Sequence, residues 1–234
     1  MKTINETRLA GPAASARAYT LIELLTVIAI IGALAAMIFP VLSVVKKKEY
    51  INAASAEFRG LQHALEDYHA KYNTYPPSNP SLLPGINTLY YELTGVSQTT
   101  NNSIVCFSTL DGVTSIPISD YQAAFSAGIG AVINCTQGGD EGSSAKNYLS
   151  GALKANRFGT VAIGNGSITN LITSVGGPDA SYLPLGALAP AGMNPFCYNF
   201  PGTNNPSSYD LWIDLKISGK TNRICNWKSA PFIL

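Results

Sequence analysis

The chain has 234 residues, with 15 basic and 14 acidic side chains and a formal net charge of +1 at pH 7. Charged residues make up 12% of the chain, about half the roughly 25% of an average globular protein, which argues against a polybasic nucleic-acid-binding protein and an acidic disordered tail. The 21 Gly and 14 Pro residues are too few for a fibrous or low-complexity chain. Two His and four well-separated Cys offer few ligands for a metal centre.

An apolar run near the N-terminus follows a polar leader. Residues 1–18 are mildly basic and end in Ala16-Arg17-Ala18, and residues 24–45 then carry no charged side chain. At about 1.5 Å per residue, a helix over 24–45 spans about 33 Å, which is enough for the core of a bilayer. An ordinary secretory signal is cut after its apolar stretch, whereas this small-residue site precedes it. A cut after Ala18 therefore leaves the apolar helix attached to the mature chain.

The orientation of this helix is predicted from the residues on its C-terminal side. Lys46, Lys47 and Lys48 lie directly after the run, so the basic groups on its two sides nearly balance. The long polar region and all four cysteines lie beyond them. Since paired cysteines are typical of exported domains, we expect a cytoplasmic N-terminus and an exported C-terminal part.

Glu23 stands at the entrance of the apolar run. A carboxylate drawn deep into lipid costs about 2–3 kcal/mol. One interpretation is an acid at headgroup level that stays hydrated. The other is a buried charge that a partner in another subunit neutralises.

The residues around Glu23 form a known pattern. Ala18-Tyr19-Thr20-Leu21-Ile22-Glu23-Leu24-Leu25, followed by Val27-Ile28-Ala29-Ile30-Ile31-Gly32, resembles the N-terminal signal of type IV pilins and type II secretion pseudopilins. The resemblance implies that a membrane-bound prepilin peptidase cuts between Ala18 and Tyr19 and that the new amine of Tyr19 is methylated. The chain departs from the family in having Ala18 where Gly is usual and Tyr19 where Phe is usual.

The resemblance also implies how subunits assemble. The α-amine of Tyr19, with a pKa of about 8, is largely cationic at neutral pH, so Glu23 of a neighbouring subunit can pair with it as helices stack with an axial stagger. Pro40 occupies a position where the family helix commonly has a proline. Because proline lacks an N–H and clashes with the preceding turn, we expect a kink or local melting there.

The second half of the predicted helix, residues 46–75, is amphipathic. Tyr75-Pro76-Pro77 is expected to end it. His63 and His69 fall on different faces, which argues against a metal pair. An apolar stripe at spacings of three and four is predicted to pack on the sheet of the C-terminal part, and it consists of Ile51, Ala54, Phe58, Leu61, Leu65, Tyr68 and Tyr72.

Residues 76–180 are rich in Gly, Ser, Thr and Asn and have weak periodicity. Leu89–Leu93 and Ala145–Leu153 are predicted short helices. Ile104–Leu110 is a predicted strand that enters a turn at Asp111-Gly112. The topology of this region is not predicted.

The C-terminal part contains three predicted strands, Pro195–Phe200, Tyr209–Ile217 and Arg223–Trp227, with turn residues between them. Asn194-Pro195-Phe196, Ser208-Tyr209-Asp210-Leu211-Trp212 and Asn226-Trp227 resemble the C-terminal strands of the major pseudopilin of type II secretion. That family usually has an acidic calcium loop between its last two strands. Here residues 216–223 carry three basic side chains and no carboxylate, which argues against such a site. The acidic turn Gly138–Gly142 is interpreted as a solvated loop, and no cofactor is expected.

The four cysteines are Cys106, Cys135, Cys197 and Cys225. An even count in an exported region predicts two disulfides with three connectivities. We favour Cys106–Cys135 and Cys197–Cys225 because each pair closes a local segment. The alternative is four reduced, buried thiols.

These features predict a structural subunit and no enzyme. The resemblance implies a subunit of a type II secretion pseudopilus or a type IV pilus-like filament, and the C-terminal strand motifs favour the pseudopilus. No G-x-S-x-G, H-E-x-x-H or P-loop motif occurs. The resemblance implies a pilin-like α+β fold, a long N-terminal helix packed on a C-terminal antiparallel sheet. The expected segments are a leader (1–18), a transmembrane and assembly half-helix (19–45), an amphipathic half-helix (46–75), a variable region (76–180) and a C-terminal sheet (181–234).

The resemblance further implies partners and location. The partners are other copies of the chain, other pilins or pseudopilins, the prepilin peptidase, the inner membrane and its assembly platform, with the C-terminal part in the periplasm. The first alternative is an extracellular type IV pilus subunit for adhesion or DNA uptake. Lys216, Lys220, Arg223 and Lys228 cluster in the sequence, but we interpret them as charges that keep a sheet edge soluble and expect no nucleic-acid partner. The second alternative is a signal-anchored periplasmic enzyme.

Overall fold

A computed structural model describes residues 19–78, 83–125, 132–136, 144–149, 154–163, 166–175 and 182–234, apart from the side chains of residues 37–43. The chain divides into two compact units, Met1–Lys46 and Lys47–Leu234. The second unit includes the predicted segments 76–180 and 181–234 and all of 46–75 except Lys46. Its fold class is α+β, as predicted.

Helix α1 is the longest element and covers Leu21–Tyr72. It ends three residues before the predicted stop at Tyr75. Asn73 takes a left-handed conformation with φ 54, and its N–H donates to the carbonyl of His69 at 2.8 Å. A left-handed residue directly after the last turn is a common way to end a helix, and asparagine tolerates it better than most residues.

The amphipathic half of α1 buries the predicted stripe. Ile51 and Tyr72 at its two ends are half-buried, and Ala64 adds to the buried face. All of these residues belong to, or pack against, one hydrophobic core that also includes strands of the C-terminal sheet. The predicted periodicity is therefore confirmed. The fully buried members of the stripe are Ala54, Phe58, Leu61, Leu65 and Tyr68.

The middle region contains α2 (Leu89–Thr94), α3 (Ile118–Phe125) and two small sheets. The predicted helix Leu89–Leu93 and the predicted strand Ile104–Leu110 are confirmed by α2 and β2. In the first sheet, with order β3-β2-β1-β4, β4 is parallel to β1 and the other pairs are antiparallel. The strands are β1 (Val96–Asn101), β2 (Ile104–Thr109), β3 (Ser115–Pro117), β4 (Cys135–Thr136), and the antiparallel pair β5 (Phe158–Ile163) and β6 (Gly166–Leu171).

The predicted helix Ala145–Leu153 is wrong over its described part, residues 145–149, which are not helical. The side chain of Asn134 forms hydrogen bonds with the backbone of Lys146 instead. Lys146 N–H donates to Asn134 Oδ1 at 2.9 Å, and Asn134 Nδ2 donates to the Lys146 carbonyl at 2.7 Å. Both backbone groups that a helix would use are therefore bonded elsewhere. Residues 150–153 lie outside the described part of the chain.

The C-terminal sheet is antiparallel throughout, with order β10-β9-β8-β7. The three predicted strands are present. The third begins earlier than predicted because Ser218 and Gly219, with φ 52 and 75, form a tight two-residue turn into it. The edge strand β10 was not predicted. The strands are β7 (Cys197–Asn199), β8 (Asp210–Ile217), β9 (Lys220–Cys225) and β10 (Phe232–Ile233).

Candidate functional site

The candidate assembly site is the start of α1. Tyr19 and Thr20 precede the helix and are exposed, with Tyr19 84% exposed. The predicted cleavage site is therefore followed by two residues in non-helical conformation. Ala18, on its other side, lies outside the described residues.

Glu23 is hydrogen-bonded within its own chain. Its Oε2 accepts from both the N–H and the Oγ1 of Thr20 at 2.8 Å, while the N–H of Glu23 donates to Thr20 Oγ1 at 3.3 Å. Thr20 stands at the N-cap and Glu23 at the third helical position, so the two form a capping box. The T-x-x-E spacing of this motif is a local sequence signal, although the resemblance to pilins drew attention to Glu23 for a different reason.

The capping box changes the interpretation of Glu23. The carboxylate satisfies donors of the first helical turn, where a negative charge is also favourable to the helix dipole. Both bonds fall on Oε2, and no described residue donates to Oε1. The arrangement adds a role within the subunit and leaves one carboxylate oxygen for a cation from outside it.

The described apolar residues after Glu23 are exposed. Leu21 is 82% exposed, and Leu24, Ile30 and Leu34 remain between 58% and 62% exposed. Among the described residues, no helix combines the length and hydropathy of a membrane span. Residues 37–43 belong to the predicted apolar run, but their side chains, including that of Pro40, lie outside the described residues. The backbone of α1 remains helical through residue 40.

Within the second unit, Glu57 links α1 to residues on both sides of the β5–β6 hairpin. Its carboxylate accepts from Thr173 Oγ1 at 2.6 Å and from the N–H of Ser174 at 3.1 Å, and it also accepts from the Ser174 hydroxyl. Arg157 lies 3.3 Å away and completes an ion pair. Nothing in the sequence pattern distinguishes Glu57 from the other acids of the helix.

The two histidines of α1 do not approach each other. His63 is exposed, and His69 stacks on the ring of Tyr75 with centroids 4.4 Å apart. Within the described part of the chain, no three His, Cys, Asp or Glu side chains are grouped to hold a metal ion.

All four cysteines are free thiols in the structure, so the predicted disulfides are wrong. Cys106 on β2 is in register with Thr99, and Cys135 on β4 is in register with Val96. Strand β1 therefore separates the two, and two strand spacings are about 10 Å, whereas a disulfide needs Cα atoms within about 7 Å. Val96 and Thr99 are three residues apart and face opposite sides of the sheet.

The second predicted pair is also separated by a strand. Cys197 on β7 and Cys225 on β9 are both in register with Trp212 of β8. The register places all three side chains on one face of the sheet, with Trp212 on the strand between the two cysteines. Two strand spacings, about 10 Å together, therefore separate the two cysteines as well. Burial raises the pKa of the Cys197 thiol to about 12, so this thiol is protonated and unreactive at neutral pH.

The acidic residues of the C-terminal part are already bound within the chain. The guanidinium of Arg223 donates to both carboxylate oxygens of Asp214 at 2.7 Å and lies over the ring of Trp212. Asp210 is buried and accepts from the backbone and side-chain N–H groups of Asn204 and Asn205. The predicted solvated turn Gly138–Gly142 lies outside the described residues, as does its acidic pair.

Three of the four basic side chains clustered near the C-terminus contact other side chains of the chain. Arg223 is paired with Asp214, Lys216 lies 6.0 Å from the ring of Tyr182, and Lys228 lies 3.7 Å from the ring of Phe232. These contacts spread the charges over different neighbours.

No protein-family model matches the chain, and no curated protein and no solved structure matches it either. The resemblance to pilins and pseudopilins therefore rests on the N-terminal signal and the C-terminal strand motifs of the chain itself.

Proposed function

We propose that the chain is a prepilin-like structural subunit with a pilin-like fold. In this proposal the peptidase cuts between Ala18 and Tyr19, the Tyr19 amine is methylated, and the mature chains assemble through α1 into a helical filament anchored in the inner membrane. The C-terminal part lies in the periplasm. A type II secretion pseudopilus is our first assignment.

The exposed apolar start of α1 carries the proposal. Leu24, Ile30 and Leu34 are each more than half exposed, and burying such a side chain is worth about 1.5–3 kcal/mol. Nothing in the described part of the chain covers these residues, so lipid or other subunits are needed to cover them. Together with the T-x-x-E start and the small-residue cleavage site, this supports a helix that moves from a membrane into a bundle of identical helices.

Glu23 supports a filament over a simple membrane anchor. An anchor gains nothing from an acid at the entrance of its apolar run, whereas an assembling helix gains a pairing partner for a neighbour's amine. The capping box uses Oε2 and leaves Oε1 to the amine of Tyr19 in another copy. In this account one carboxylate both starts its own helix and receives the next subunit.

A surface type IV pilus is the second assignment. Region 76–180 has few charged side chains, and its strand β1 is polar and largely exposed. Both features are compatible with a fibre that faces the exterior. The four cysteines are free thiols, so no disulfide bond favours this assignment. Electron microscopy distinguishes the two assignments, because a pseudopilus is short and confined to the periplasm whereas a pilus is a long extracellular fibre.

Charge removal at Glu23 tests the proposal. The chain is expressed with a prepilin peptidase and an assembly platform, and filaments are counted by electron microscopy. Glu23→Gln keeps an oxygen for the Thr20 N–H but removes the charge, and we expect cleaved subunits with at least a tenfold loss of filaments. Glu49→Ala, an exposed acid in the other half of the same helix, is the control and retains filaments. Normal filaments from Glu23→Gln would overturn the charge pairing.

A further inference from the structure

Glu92 of α2 is a fully buried carboxyl group at the junction of several elements. It is 0% exposed. Oε1 accepts from the N–H of Ile133 at 3.0 Å, and Oε2 accepts from the N–H of Asn134 at 3.1 Å and from the hydroxyl of Tyr68 at 2.9 Å. The group therefore joins α1, α2 and the segment that leads into β4.

The network continues from Asn134 to two further parts of the fold. Tyr72 of α1 donates to Asn134 Oδ1 at 2.7 Å, and Asn134 Nδ2 donates to the carbonyls of Glu92 and Lys146 at 2.7 Å. Any change in how Glu92 holds the Ile133–Asn134 segment is thereby transmitted to the last turn of α1.

Among the residues that the structure describes, no cation compensates the carboxyl group. The titratable side chains that act on it are tyrosines and one thiol, which stay neutral below about pH 9, and the described interactions include no Lys, Arg or His. These neighbours come from α1, α3, β4 and β7, and they are Tyr68, Tyr72, Tyr121, Cys135 and Tyr198.

Burial raises the pKa of Glu92 to about 7, although the N–H groups of Ile133 and Asn134 and the Tyr68 hydroxyl act in the opposite direction. The protonated acid keeps the two backbone bonds and reverses the third. Tyr68 donates to Oε2 of the ionised acid, whereas a proton on Oε2 is donated to the Tyr68 oxygen and turns the Tyr68 hydroxyl hydrogen away from Glu92. Both backbone N–H groups keep their acceptors in either state. The ionised acid keeps its three donors but leaves an uncompensated charge in the core.

We propose that Glu92 is a proton-dependent latch: when protonated it holds the Ile133–Asn134 segment against α1 and α2, and when ionised it loosens that segment. The latch lies wholly in the second unit and does not depend on whether the chain forms a filament. It responds to the acidity of the compartment that the C-terminal part enters.

The direction of the effect is set by the two protonation states. The pKa in the folded chain is above the unfolded value, so the stability that the group contributes is fully present at low pH. That contribution is lost as the pH rises from about 4.5 to about 7. The latch is therefore closed at pH 5 and open at pH 8.

Hydrogen exchange tests the latch on the full chain in detergent. Exchange of a peptide covering 132–136 is compared at pH 5 and pH 8 after correction for the intrinsic rates. We expect protection to fall on the order of tenfold at pH 8 in the wild type. The fall should be much smaller in Glu92→Gln, while Glu66→Gln, at an exposed acid on α1, should behave like the wild type.

A second measurement keeps the proposal falsifiable if Glu92→Gln does not fold. Tyr68→Phe removes one donor from the carboxylate and should move the midpoint of the transition to higher pH. The carboxyl ¹³C shift of Glu92, followed by NMR from pH 5 to pH 9, reports the titration directly. Equal protection of 132–136 at both pH values, or the same fall in Glu92→Gln as in the wild type, would overturn the latch.

Discussion

The apolar side chains of the two halves of α1 differ in how far they are exposed. In the amphipathic half, Phe58, Leu65 and Tyr68 are at most 4% exposed because the rest of the second unit covers them. In the first half, Leu24 and Ile28 are 62% and 59% exposed. One continuous helix thus has a half whose apolar side chains are buried within the chain and a half whose described apolar side chains are exposed. In our proposal, lipid or other subunits cover the exposed half.

The amino-acid composition alone does not reveal this difference between the two halves of the helix, but the order of the residues does. A helix that is apolar on all sides is typical of burial or of a membrane, and a helix with one apolar stripe is typical of packing on a domain surface. The chain places one after the other, separated by Lys46, Lys47 and Lys48. We infer that folding of the C-terminal part and assembly of subunits depend on different residues and can be separated by mutation.

The largest effect on stability is expected from a substitution in the amphipathic half of α1. Leu65→Ala removes a fully buried side chain and should lower the free energy of unfolding by about 2–5 kcal/mol. Ile28→Ala in the exposed half should change it by no more than about 0.5 kcal/mol. Denaturant unfolding in detergent, followed by tryptophan fluorescence, measures both. Equal losses from the two variants would show that the halves are not independent.

A smaller effect is expected where α1 is tied to the β5–β6 hairpin. Glu57→Ala removes the acceptor of Thr173 and Ser174 and the partner of Arg157. Hydrogen bonds to a charged group are worth about 1.5–3 kcal/mol, so a loss of about that size is expected in the same unfolding experiment. Glu49→Ala is the matched control and should have almost no effect. A Glu57 variant as stable as this control would show that the contacts of Glu57 do not stabilise the fold.

The smallest expected effect concerns the thiols. Because β1 separates Cys106 from Cys135 and Trp212 separates Cys197 from Cys225, adding reductant should leave the unfolding midpoint unchanged. The unreduced intact mass should equal that of the fully reduced chain. A lower midpoint in reductant, or a lower unreduced mass, would show that disulfides form after all.

The sequence predicted elements whose signal is periodic. The stripe from Ala54 to Tyr68 repeats at helical spacing, and the strand at Asp210–Ile217 alternates apolar and polar side chains, so both were found. Strand β10 consists of Phe232 and Ile233 alone, which is too short to show a period. The region from 76 to 180 lacks strong periodicity, and its sheet order depends on contacts that no local pattern encodes.

The contacts of the cysteines and of two acids depend on distant segments, which local sequence patterns do not predict. Closeness in sequence favoured Cys197–Cys225, but the register of β8 decides which residues are neighbours in space. Glu92 and Glu57 owe their importance to donors from distant segments, and no spacing rule identifies them. The Thr20–Glu23 capping box is different because its T-x-x-E pattern is local and can be found from the sequence.

The most direct test of the account is N-terminal peptide mapping with intact mass on chains extracted from membranes of cells that carry a prepilin peptidase. The account predicts a mature chain that begins at N-methylated Tyr19 and retains the apolar start of α1. A chain that still begins at Met1 in those cells, or one cut after residue 45, would contradict prepilin processing and with it the filament assignment.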